Sequence, residues 1–178
     1  MLRKLSYILL LTLSTSVLNP LIAQETPPTS EIYTIYLVRH SEKDFTSPNT
    51  SDLPLSTCGK KRSTSLMHFL QDTNLEVVYS TDYTRTKNTA LPTADSKDLE
   101  ITIYSPDNLH QFSEQLISNK QDALVIGHSN TTAVLAGLLI NREFGDIDLH
   151  IYDRIYQVTI SGESRKLQLF HSPFECSE

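Results

Sequence analysis

Four short apolar runs set the frame of this chain: IYTIYLV from Ile32, LEVVYS from Leu75, LEITIYS from Leu99 and DALVIGH from Asp122. The first is nearly continuous in apolar character, which suits a strand covered on both faces rather than one lying against solvent. The stretches between the runs carry helical spacing and helix start signals. A helix is expected from about Ser56 or Thr57, with Leu66, Met67, Phe69 and Leu70 on its buried face. DYTRTKNTALPTA reads as a helix that Pro92 helps to end, PDNLHQFSEQLIS as a helix with Pro106 in its first turn, and SNTTAVLAGLLI as a helix starting at about Ser129. DRIYQVTISGESRKLQLFH reads as a hairpin turning at Ser161-Gly162-Glu163-Ser164. Alternation of strands and helices predicts an α/β three-layer sandwich, with a mainly parallel central sheet, helices on both faces and an antiparallel C-terminal hairpin.

The N-terminal residues stand apart. Arg3 and Lys4 precede an apolar stretch from Leu5 to about Leu18, followed by small residues, the layout of a secretory signal peptide cleaved after Ala23. The stretch is shorter than the ~20 apolar residues of a spanning helix. Residues 1–23 are therefore expected to be removed, 24–31 to form a linker and 32–174 to form one domain, in a periplasmic or secreted protein with no stable membrane insertion. Removing Arg3 and Lys4 from the 15 basic residues leaves 13 against 21 acidic ones, a formal charge of −8. Such an acidic chain does not point to nucleic acid, so any anion site has to be built locally. Cys58 and Cys176 lack metal-ligand spacing, and export would permit a disulfide; bonded and free forms both stay open. His110, His150 and His171 show no spacing that suggests a metal site either.

In open α/β sheets ligands bind past the carboxyl ends of the strands. The first predicted strand ends on Arg39-His40. The second ends on Ser80, with Arg85 one turn into the next helix. The fourth ends on Gly127-His128-Ser129-Asn130. A parallel fold gathers these ends at one edge and so puts two arginines and two histidines in one cleft. Two converging guanidinium groups suit a phosphate or carboxylate, and a helix starting near Ser129 adds its positive end. An imidazole nitrogen with a fixed tautomer is a competent nucleophile toward phosphorus.

YLVRHSEK, YSTDYTRTKNTA and VIGHSN resemble the three signature segments of the histidine phosphatase superfamily, the phosphoglycerate-mutase-like proteins, and PLSTCG resembles the segment that opens the first helix there. The resemblance spans about Ile32 to Phe170 and is similar in size to the short phosphohistidine-phosphatase branch. It implies that His40 is the nucleophile, that Arg39 and Arg85 bind the phosphoryl oxygens, and that His128 contacts the phosphate, with Ser129 beside it. No metal or organic cofactor is implied, and the implied partner is a phosphorylated small-molecule or envelope substrate.

Two departures matter. Ser41 stands where the commonest motif has Gly, matching instead a branch with a small residue followed by Glu. The insertion that carries the general acid in many relatives is absent, because Leu91 to Gly127 is taken up by a strand, a helix and another strand. Glu42 is the first candidate acid by proximity to His40, followed by Asp82 and Asp153. The expected activity is metal-independent hydrolysis of phosphomonoesters through phosphohistidine, of the histidine acid phosphatase type. A phosphoglycerate-mutase-like phosphotransferase and a non-catalytic phosphate- or sugar-phosphate-binding protein are the rival readings.

Overall fold

The computed structural model describes residues 31–176. The expected signal peptide and most of the linker lie outside the described residues. The elements run β1 (Ile32–Arg39), α1 (Thr57–Phe69), β2 (Val77–Ser80), α2 (Thr84–Ser96), β3 (Ile101–Ile103), α3 (Leu109–Asn119), β4 (Ala123–Gly127), α4 (Thr132–Leu139), β5 (Arg154–Ser161) and β6 (Ser164–His171). They form one sheet ordered β3-β2-β4-β1-β5-β6. Pairing is parallel from β3 to β1 and antiparallel from β1 through β5 to β6.

Alternate residues of the central strands feed two separate cores. Tyr33, Ile35 and Leu37 of β1 and Val125 of β4 face one layer, with Phe112 and Leu116 of α3 and Leu135 and Leu139 of α4. Val38 of β1 and Leu124 and Ile126 of β4 face the other, with Leu66 of α1 and Ala90 and Ala94 of α2. Burial on both faces explains why β1 reads as an apolar run without alternation. The fold is the three-layer α/β sandwich with an antiparallel C-terminal hairpin.

Several boundaries differ from expectation. Pro92 lies inside α2 and does not end it; the helix continues to Ser96. The ring leaves the Asn88 carbonyl without its helical donor. Ala90, Thr93 and Ala94, each at most 1% exposed, anchor the turns on either side. Pro106 precedes α3, whose N-cap is Asn108, accepting from the Gln111 N–H at 3.1 Å. Residues 105–107 thus become wall rather than helix. The last helix starts at Thr132, because the Thr131 hydroxyl accepts the His128 N–H at 2.8 Å and holds residues 128–131 as a turn.

Cys58 and Cys176 form a disulfide, with Cα atoms 5.8 Å apart, that fastens the tail beyond β6 to the first turn of α1. Arg62 supports the same tail by donating to the Phe174 carbonyl at 2.9 Å.

Candidate active site

The carboxyl ends of the parallel strands lie side by side. Arg39 is in register with Gly127 and Ser80 with Ile126. The chain turns out of β1 at His40, whose N–H donates to the Gly127 carbonyl at 2.9 Å. The next residues are held from one helical layer. Ser41 N–H donates to Thr89 Oγ1 of α2 at 3.0 Å. The Glu42 carbonyl accepts from Ser56 N–H at 2.9 Å. A Cβ at Gly59 would run into that same carbonyl, so the close approach of α1 requires glycine there.

This turn orients the His40 ring. Its Nδ1 lies 2.8 Å from the Ser41 carbonyl, which can only accept, so Nδ1 carries the hydrogen and Nε2 keeps the lone pair. Burial, with smaller contributions from Arg39, Arg85 and His128, pushes its pKa down to about 3 against the opposing pull of the Ser41 carbonyl. The ring is therefore neutral at ordinary pH, the state a nucleophile needs.

Arg39 is 3% exposed and sits over the Tyr152 ring, 4.0 Å from its centroid. Its Nη1 lies 2.9–3.1 Å from the carbonyls of Asp148, Leu149 and Ile151, so this arginine also gathers the loop before β5. Arg85 projects from the first turn of α2. Its guanidinium stacks on Tyr83 at 4.2 Å and meets Asp52 at 3.7 Å. Asp52 also accepts from Thr84 N–H and Thr84 Oγ1, and so caps α2 from a distant loop. The Nε atoms of both arginines, like that of Arg154, are buried without a hydrogen-bond partner among the described residues.

His128 completes the group, with its ring centroid 5.5 Å from that of His40. The Thr81 hydroxyl donates to Thr86 Oγ1 at 3.0 Å, so it accepts from His128 Nε2 at 2.9 Å and leaves Nδ1 for an external partner. Burial first, then Arg85, Arg39 and Lys43, push this pKa down to about 4. Arg39, His40, Arg85, His128 and Ser129 all line one open cleft of about 350 Å³.

Residues 35–109 match the model of the histidine phosphatase superfamily (branch 1). That segment is similar to the histidine phosphatase superfamily, and it carries Arg39, His40 and Arg85. Solved structures share its fold. The protein histidine phosphatase SixA, complexed with tungstate, superposes with a TM-score of 0.66 at 19% identity over 78% of this chain and 97% of that one. The alpha-ribazole phosphatase of Shigella flexneri gives 0.61 at 16% identity over 82% and 99%. A mycobacterial glucosyl-3-phosphoglycerate phosphatase gives 0.58 at 12% identity over 79% and 98%. No curated protein matches the chain by sequence.

The candidate acids do not reach the cleft. Glu42 turns to Arg62, which donates from Nε at 2.8 Å and Nη2 at 2.7 Å, and it is absent from the cleft lining. The choice of Glu42 by nearness in sequence overlooked that successive side chains leave a turn in different directions. Asp82 pairs with Lys87 at 2.7 Å on the exposed surface. Asp153 accepts from His171 at 2.8 Å and lines a small depression behind the site. The carboxyl group that does line the cleft, among the described residues, is Asp107. It follows the carboxyl end of β3, so the strand-end rule would have found it had it been applied to the third strand. Lys43, Tyr83, Asn130 and Thr131 also line the cleft. Glu42 lies beside Cys58 and Cys176, but the disulfide uses both sulfurs and Arg62 holds the carboxylate, which leaves no set of donors for a metal there.

Linkage follows from the depressed histidines. The unfolded chain binds protons at both rings near pH 6.5 while the folded one does not, so their contribution to stability is full above about pH 6.5 and lost as pH falls toward about 4 and about 3. In proton NMR of the free protein, His40 and His128 are expected to stay neutral through pH 6.5. Midpoints near 6.5 for both would contradict this account of their environment.

Proposed function

We propose that this chain is an exported, metal-independent phosphatase that hydrolyses phosphomonoesters through a phosphohistidine on His40. The observation that carries this reading is the fixed tautomer of a buried, neutral His40 on the same cleft floor as Arg39, Arg85 and His128. In the first step His40 Nε2 donates its lone pair to phosphorus as the bond to the leaving-group oxygen breaks. The two guanidinium groups stabilise the charge on the equatorial oxygens, while His128, its Nε2–H held by Thr81, presents the Nδ1 lone pair to a proton carried by the substrate or by the attacking water. Water then attacks the phosphohistidine, releasing inorganic phosphate and regenerating the neutral ring. Export rests on the N-terminal sequence, and the Cys58–Cys176 disulfide suits an oxidising compartment.

Asp107 is the carboxyl group lining the cleft among the described residues, and so is the candidate general acid. If it supplies the leaving group's proton, Asp107→Asn should lower kcat on an alkyl phosphate by about 10²-fold, and far less on p-nitrophenyl phosphate, whose leaving group needs no proton. Equal effects on the two substrates would remove Asp107 from that role.

The reading as a whole is tested by incubating residues 24–178 with p-nitrophenyl phosphate, with and without chelator, and quenching in alkali. Chelator-insensitive turnover with an alkali-stable, acid-labile phosphoenzyme is expected. Saturable phosphate binding with no turnover across a broad substrate panel would make it a binding protein.

A further inference from the structure

Lys43 is a cleft residue that the chemistry above does not use. Its backbone is pinned by a bridge to Leu55, so the side chain leaves from a defined point on the wall. It stands above the floor. Arg39 and His40 are 3% and 4% exposed, Lys43 is half-buried, and Phe45, whose ring centroid is 4.9 Å from the Lys43 ammonium, is 73% exposed at the surface. Among the described residues Lys43 makes no ion pair, and the carboxyl group that shares its cleft is Asp107. Burial and the like charges of Arg85 and Arg39 lower its pKa, and its field reaches His128. An ammonium sharing one cleft with two guanidinium groups adds a third positive charge there, which favours a ligand that carries a second anionic group. The reacting phosphoryl group already has the guanidinium groups of Arg39 and Arg85.

We infer that Lys43 is a specificity-determining residue that receives a second anionic group, carried by the leaving group of the substrate. The substrate class is thereby narrowed to phosphomonoesters with a carboxylate or a further phosphate a few bonds from the ester oxygen. The inference rests on the reading of the cleft as a phosphoryl site, and it is tested by binding alone.

Three phosphonates, none of them hydrolysable, separate the possibilities by calorimetry: propylphosphonate, 3-phosphonopropionate and propane-1,3-diphosphonate. The two doubly anionic ligands are expected to bind the wild-type protein about tenfold more tightly than propylphosphonate, as one charge-assisted contact allows. Comparison of those two shows whether the second group is carboxylate or phosphate. Lys43→Met should bring the ratio of affinities close to one, and Lys43→Arg should restore most of it. Equal wild-type affinities for all three would overturn the inference. So would a Lys43→Met variant that loses the same factor on every ligand, since Lys43 would then serve the reacting phosphoryl group. Binding with the expected ratios but no hydrolysis of p-nitrophenyl phosphate or of phosphomonoesters bearing a second carboxylate or phosphate would defeat the proposed activity and leave this assignment standing. No binding of any phosphonate would defeat both.

Discussion

His40→Ala is expected to lower kcat on p-nitrophenyl phosphate by on the order of 10⁴-fold or more, the scale on which loss of an enzymic nucleophile acts. The size of the effect follows from the environment. The ring is neutral because burial opposes its protonation, and its Nε2 is the free nitrogen because Nδ1 is committed to the Ser41 carbonyl. The other imidazole lining the cleft among the described residues is His128, whose Nε2 is tied to Thr81. His40→Asn serves as a second variant, because it keeps a polar group near the Ser41 carbonyl and so limits any loss of folding. Both variants should bind phosphate, show no alkali-stable phosphoenzyme and retain cooperative unfolding. A variant that folds and keeps its rate within about tenfold of wild type would remove His40 from the mechanism.

The second large effect is expected at Arg39. One guanidinium there has two tasks: its Nη1 gathers three carbonyls of residues 148–151, and the rest of the fork faces the cleft. Lysine carries one nitrogen and cannot do both. Arg39→Lys should lower kcat/KM by about 10²- to 10³-fold. It should also speed hydrogen exchange at the amides of Ile147 and Ile151, which donate to the Ser129 and Asp148 carbonyls. Arg85→Lys is the control. Among the described residues Arg85 holds no loop carbonyl, so the change should lower kcat/KM while leaving those two amides protected. If Arg39→Lys changed kinetics alone, the carbonyl contacts would be incidental to the site.

The parts of this molecule legible in the sequence are those set by local pattern. Burial of β1 on both faces leaves a mark in IYTIYLV, and parallel pairing then brings Arg39, Gly127 and Ser80 to one edge without further information. Arg85 and His128 follow because each lies within one turn of such an end. Contacts made across the fold left no local mark. Nothing in the neighbourhood of Asp52 says that it caps α2 and meets Arg85 some thirty residues on. Nothing near Glu42 announces Arg62, and for that reason nearness to His40 pointed to the wrong carboxylate for the cleft. Pro92 misled for a related reason: its local cost is real, but the burial of Ala90 and Ala94 outweighs it. The Cys58–Cys176 pairing belongs to the same class, being a contact over a separation of 118 residues.

The direction of the strands divides the molecule into a working end and an idle end. Each cleft residue on or following β1, β2, β3 and β4 comes after the carboxyl end of its strand, and the loop before β5 closes the same side. The connections entering β2, β3 and β4 lie at the other end, as does the hairpin turn at Gly162, where φ is 57°. Lys120, in the left-handed conformation with φ 52°, marks one of these connections. A fusion partner, dye or surface linker joined at Gly162–Glu163 or near Lys120 would therefore leave the cleft facing outward, and length changes there would not alter the chemistry of the other edge. For anyone building a sensor or an immobilised catalyst from this chain, the sheet itself specifies which end to hold.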